Sequence, residues 1–142
     1  MGESAGGHLA ALAALRGQVR VEGLVSFYGI HDIPLWAEQQ AELPRNIGQY
    51  LAQSSAEALR EASPVTYVHK AQPPILLVHG TADTGVPWQP SERLCEMASR
   101  AGAACEILLI TGAPHGVERW EQDERFQIWK PKVTEWLRRL LH

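Results

Sequence analysis

Residues 2–12 read GESAGGHLAAL, a serine set among small residues directly ahead of an apolar run. Gly2-Glu3-Ser4-Ala5-Gly6 fits G-x-S-x-G, a pattern that presents a serine hydroxyl on a sharp turn between a strand and a helix. Only Met1 precedes it, so the strand expected to hold that turn has almost no residues to form it. From Ala5 to Leu15 the apolar residues are nearly continuous, with Leu9, Leu12 and Leu15 spaced to pack a helix on a sheet. Arg16 and Gly17 supply its last-turn cation and its terminating glycine.

Downstream, apolar runs alternate with amphipathic ones. VEGLVSFYG reads as a buried strand over about Gly23–Tyr28, ILLVHG (75–80) as the strongest strand of the chain, and CEILLITG as another buried strand. PSERLCEMASRAG is an amphipathic helix with Ser91 near its start and Gly102 at its end. Residues 30–62 form a looser helical insertion (IPLWAEQQAEL, NIGQYLAQ, SAEALREAS) over one end of the sheet, with Ser54 or Ser55 as a cap. SPVTYVHKAQPP reads as an extended connector, because a residue before proline avoids helical angles. Residues 124–141 predict a terminal helix that Pro131 kinks or divides, with Phe126, Trp129, Val133, Trp136, Leu137 and Leu140 inward. Strands this apolar are covered on both faces, which makes the fold class α/β with about three parallel strands flanked by helices.

Bulk properties narrow the function. The chain has 142 residues, 45% apolar and 20% charged, with a formal net charge of −3; that is globular composition with no basic stripe for nucleic acid. No apolar run reaches a membrane-spanning length, and no signal peptide is expected. Cytoplasmic location is the default only in the sense that nothing addresses the chain elsewhere. Cys95 and Cys105 match no metal spacing; they read as partly buried thiols, bridged only if the helix and strand carrying them come close. No histidine pair has metal spacing either, so neither a metal nor a cofactor is expected.

Three positions carry possible chemistry, each where a strand ends, the edge at which open α/β sheets bind ligands. Ser4 sits on its turn with the amide of Ala5 at a helix N-terminus, placed to donate to a developing oxyanion; Gly2 and Gly6 would let helix and strand approach. Read alone the pattern is weak, since Gly, Ser and Ala are common and a serine there also serves as a plain helix cap. Asp83 follows ILLVHG in a loop tightened by Gly80, Gly85 and Pro87. An aspartate there either closes an Asx-turn or accepts from an imidazole and fixes its tautomer. His115 follows the last strand by a short loop between Gly112 and Gly116.

In this order the motifs resemble the α/β-hydrolases. GESAGGHLAAL looks like the nucleophile elbow of carboxylesterases, and SPVTYV, PPILLVHGTADTGVP and GAPHG follow in that family's sequence. HGVERW and FQIWKPKVTEWLRRL are similar to esterases acting on small esters and carbohydrate acetyl or feruloyl groups. The resemblance implies Ser4 as nucleophile, Asp83 as orienting acid and His115 as general base, with Asp32, Glu3 and His79 outside the triad and His79 bracing the Asp83 loop. Glu3, Trp36 and Trp88 are candidates for the substrate cleft, packing being the competing role for the tryptophans.

The family's early strands and its HGG loop, the source of a second oxyanion amide, have no counterpart here. Residues 1–142 are therefore expected to be a single truncated α/β-hydrolase domain lacking the N-terminal strands. The Gly23–Tyr28 strand would then be an open edge, and Ser4 free to relax into a cap. A homodimer, or a complementary fragment covering that edge, follows as the expected partner beside a small ester. Two functions remain: a serine esterase, and a catalytically inactive truncated module acting through self-association or a complementary fragment.

Overall fold

A computed structural model describes residues 1–17, 19–40 and 42–142. Gln18 and Ala41, the latter inside the predicted IPLWAEQQAEL segment, lie outside the described residues. Four parallel strands form one sheet: β1 (Gly2–Glu3), β2 (Leu24–Phe27), β3 (Ile75–Gly80) and β4 (Cys105–Ile110), in the spatial order β1-β2-β3-β4. The sheet thus has one strand more than predicted. β1 has only two residues, too few to show any alternation, yet it pairs in register with β2, Gly2 opposite Ser26 and Glu3 opposite Phe27. The β2 edge predicted to be open is therefore covered over its last two residues.

Spatial order equal to chain order places the strand-to-strand connections on one face, because parallel crossovers share one hand. Alternation along the strands bears this out. Leu24, Ile75 and Leu77 pack with Ala11, Ala14 and Leu15 of α1 (Ala5–Leu15), Val65, and Leu94 and Cys95 of α5 (Gln89–Arg100). Val25, Phe27, Leu76 and Val78 point to the opposite face, where they meet Trp120 of α6 (Val117–Trp120) and Val133 and Trp136 of α7 (Trp129–Leu141).

Local chemistry explains where several expectations shift. On α1 the buried stripe is Gly7, Ala11, Ala14 and Leu15, while Leu9 is 63% exposed. Small residues let the helix lie close on the sheet, which pushes the leucine that helical spacing had placed inward to the outside. The expectation that β4 is buried fails at residue level: as the sheet's other edge it keeps only Ile110 fully buried. In the supposed extended connector, Pro64–Tyr67 turn into a 3-10 helix, although Ser63 before the proline is extended as predicted.

Between β2 and β3 lie α2 (Ile33–Glu38), α3 (Arg45–Gln53) and α4 (Ala56–Glu61), with Ser55 capping α4 by accepting from the Ala58 amide. The predicted terminal helix is divided, a 3-10 turn at Glu124–Phe126 preceding α7. Pro131 falls in the first turn of α7, where a missing N–H removes no helical bond. Cys95 on α5 and Cys105 on β4 are joined as a disulfide, their Cα atoms 5.3 Å apart, so the reading of two thiols is corrected. Among the described residues no helix is long and apolar enough to cross a membrane.

Candidate active site

Ser4 stands one residue past the last paired position of β1. Its amide donates to the Phe27 carbonyl at 2.9 Å, and its backbone takes φ 50° and ψ −121°. Such a conformation costs of order 1–3 kcal/mol outside glycine and persists only where the surroundings enforce it. Ser4 makes no side-chain cap bond to α1. The relaxation into a helix cap does not occur, because the β1 pairing and that amide bond anchor the turn from the strand side. Two glycines make the close approach, but not both of those expected. A Cβ on Gly2 would lie 2.3 Å from the Gly6 carbonyl oxygen, and one on Gly7 would lie 2.6 Å from Ser26 Oγ, whereas one on Gly6 would meet open space. Gly7, not Gly6, is the contact residue. Helix α1 begins at Ala5, and the first amides of a helix have no intrahelical acceptor.

Asp83 lies three residues beyond β3 with its side chain wholly buried. Oδ1 accepts from the amides of Gly85 (3.0 Å) and Val86 (2.8 Å), so the Asx-type turn is real. It coexists with the other reading, because Oδ2 remains for His115 Nδ1 at 2.6 Å. Burial disfavours the ionised carboxyl. The hydrogen bonds from His115 and the Val86 amide, with the His79 ring 3.6 Å away, outweigh it and hold Asp83 well below the ordinary carboxylate range.

His115 is presented by the loop after β4, with Gly116 at φ 103° immediately behind it. Nδ1–H donates to Asp83, which leaves Nε2 of the neutral ring as an acceptor, and Nε2 is 3.1 Å from Ser4 Oγ. The imidazole pKa is raised, chiefly by the Asp83 hydrogen bond; burial opposes this, and the charges of Asp83, Glu118 and Glu3 add to it. Three side chains spread over 111 residues of chain thus form one hydrogen-bonded line, Ser4–His115–Asp83.

The remaining candidates have other positions. Glu3 accepts a 2.6 Å hydrogen bond from the Tyr28 hydroxyl. Trp36 is buried, its indole N–H donating to the Gly85 carbonyl, the packing role for that residue. Trp88 is half-buried just before α5. Asp32 caps α2 through the Leu35 amide and lies 3.5 Å from Arg93. A cavity of about 430 Å³ opens between α2, α4 and α5, lined by residues including Asp32, Arg60 and Arg93 but by none of the three in line.

Behind Asp83 runs a buried chain of which sequence reasoning singled out only His79, as a brace for the Asp83 loop. His79 Nε2 donates to the Val86 carbonyl at 2.7 Å. His79 Nδ1 therefore accepts from Ser91 Oγ (2.9 Å), which accepts from His31 Nδ1 (3.0 Å), whose Nε2 accepts from Ser26 Oγ (2.9 Å). Every proton in that chain has one place to go. Burial, with smaller contributions from His79 and His8, pushes the His31 pKa down to about 3 and keeps it neutral. The sequence signal was faint: a serine at 26 inside the otherwise apolar run LVSFY.

The model of the BD-FAE family matches residues 1–97. The chain belongs to the BD-FAE family. This places it among the carboxylesterase-like α/β-hydrolases. It is similar to esterase LipQ of Mycobacterium tuberculosis, 32% identical over 120 residues, covering 72% of this chain and 28% of LipQ. Esterase LipC of the same organism is 29% identical over 140 residues, covering 82% and 34%.

The chain thus spans about a third of the length of these curated relatives. Among solved structures, an acetyl ester-xyloside bifunctional hydrolase from Caldicellulosiruptor lactoaceticus superposes with a TM-score of 0.79 at 19% identity, covering 98% of this chain and 55% of that one. A truncated carbohydrate esterase from gut microbiota gives 0.71 at 23% identity, covering 94% and 57%. At such identities these structures speak for the fold alone.

Proposed function

We propose that this BD-FAE family member is a serine carboxylic ester hydrolase, with Ser4 as nucleophile, His115 as general base and acid, and Asp83 as the residue that orients and charges it. Ser4 Oγ attacks the ester carbonyl carbon while its proton passes to His115 Nε2. The alkoxy C–O bond then breaks as that proton moves to the departing alcohol. Water, deprotonated by the same nitrogen, attacks the acyl carbon and releases the acid, restoring the serine. The Ala5 amide is aimed at the oxyanion. A donor of this kind is worth about 10²–10³ in turnover.

Short acyl or carbohydrate acyl esters are the proposed substrates, a reading that rests on the resemblance of HGVERW and FQIWKPKVTEWLRRL to esterases of those classes. One observation carries the proposal: Ser4 Oγ at 3.1 Å from an imidazole nitrogen whose partner nitrogen is held by a buried carboxylate. The test is hydrolysis of p-nitrophenyl acetate with fluorophosphonate labelling, both expected to disappear in Ser4→Ala. Activity that survives the substitution overturns the assignment.

The alternative, an inactive module working by association, draws on a different observation. Met1 and Leu9 are 75% and 63% exposed, and β1 offers one of its edges to a further strand. Inertness of a folded sample toward both reagents would favour it. In either reading the proposed macromolecular partner is a second copy of the chain or a complementary fragment, not nucleic acid or membrane.

A further inference from the structure

Only two non-glycine residues among those described have positive φ, Ser4 at 50° and Tyr28 at 37°. They are neighbours in space for a simple reason. Glu3 pairs with Phe27, so Ser4 and Tyr28 are the residues at which β1 and β2 leave the sheet together. A left-handed backbone is rare for a bulky aromatic residue and indicates a constraint. The constraint at Tyr28 is visible. Its amide still donates to the Val78 carbonyl at 2.8 Å, so the turn happens at the side chain's own position and not before it. The ring is 2% exposed, set edge-on to Trp120 at 5.3 Å between centroids, and lies 4.6 Å from the His115 ring.

The hydroxyl then does two things at once. It donates to Glu3 Oε2 at 2.6 Å, the residue before the nucleophile, and it accepts from the Val117 amide at 2.9 Å, two residues after the imidazole. It is the one side-chain atom among the described residues that bonds both the Ser4 turn and the His115 loop. We propose that Tyr28 is a positioning residue for the hydrolysis assigned to Ser4: its hydroxyl braces the nucleophile turn against the imidazole loop and so fixes the Ser4–His115 separation.

The inference rests on that functional reading for its kinetic consequence but not for its structural one. A shift of an ångström at a proton-transfer distance costs on the order of 10²-fold in rate. The brace also keeps the Glu3 carboxylate near His115, beside Asp83 from the β3 loop and Glu118 of α6, the three acidic groups facing that imidazole.

Tyr28→Phe keeps the ring and removes both hydrogen bonds. The expected result is a 10- to 100-fold fall in kcat with KM within about twofold, and a lower His115 pKa by imidazole NMR. Glu3→Ala cuts the same bond from its exposed end, which guards against a phenylalanine variant that fails to fold. The double variant should be no slower than the worse single one. The NMR titration does not require turnover, so a wild-type chain inert to ester and fluorophosphonate refutes the esterase reading while the brace is still judged. An unchanged kcat and an unchanged His115 titration in Tyr28→Phe overturn it. Losses in the two variants that simply multiply, with His115 unmoved, reduce Tyr28 to a packing residue and overturn it equally.

Discussion

His115 and His31 are displaced in opposite directions from the same ordinary pKa, for reasons each neighbour makes plain. Asp83 favours the charged form of His115, so the neutral base needed to activate Ser4 accumulates only above the usual histidine range. The acid limb of kcat/KM should therefore fall above pH 6.5. Asp83→Asn should move that limb to lower pH and lower kcat on the order of 10⁴-fold; a pH–rate series on the two proteins checks both.

His31, sealed between Ser26 and Ser91, resists protonation. Between about pH 3 and 6.5 the unfolded chain binds more protons at this site than the folded one, so its contribution to stability is complete above 6.5 and lost as pH falls towards 3. His115 has the opposite sign: its contribution is complete below 6.5 and lost as pH rises through its raised value. Asp83, depressed in the fold, adds a further loss on acidification below the ordinary carboxylate range. Denaturant melts should show greatest stability near pH 6.5, with the acid-side slope reduced in His31→Gln.

At the scale of elements, α1 and the strands beside it meet through glycine, and which glycine matters was not legible in the sequence. Gly6 and Gly7 are adjacent and chemically identical; only the phase of α1 against β2 distinguishes them. Gly7→Ala must displace Ser26 Oγ and the Phe27 carbonyl and should destabilise by about 1–3 kcal/mol. Gly6→Ala enters open space on a helix and should be neutral, or stabilising by up to about 1 kcal/mol. Thermal melts of the pair decide it.

The same limit explains the other gaps. Ser4 stood out through G-x-S-x-G, and Asp83 and His115 because each follows by a short, glycine-marked loop a strand whose end is visible in an apolar pattern. Tyr28 and the His31–Ser91–His79 chain could not, because their roles exist only once Glu3 is registered on Phe27 and α5 is laid beside β3. Two residues of β1 lie below any periodic signal. The Cys95–Cys105 bridge depended on the proximity of α5 and β4, which spacing alone does not specify.

For the molecule as a whole, the sheet has unequal edges. β4 is flanked by charged groups, Glu106 paired with Arg139 from α7, which discourages strand addition. β1 has no such guard, and Met1, Leu9 and Val19 are exposed apolar residues. Sedimentation is expected to show concentration-dependent dimers, with Leu9→Lys shifting them to monomer; a monomer at all concentrations would count against the association.

The one-sided winding has a further consequence, for synthesis on the ribosome. Strands β1 to β4 can associate as they emerge, each crossover covering the same face in turn. The opposite face, with Val25, Phe27, Leu76 and Val78, stays bare until residues 117–141 are translated. A nascent chain paused in the β4 loop would thus present these four strands with one face not yet covered by residues 117–141, an invitation to chaperones and to misassembly alike.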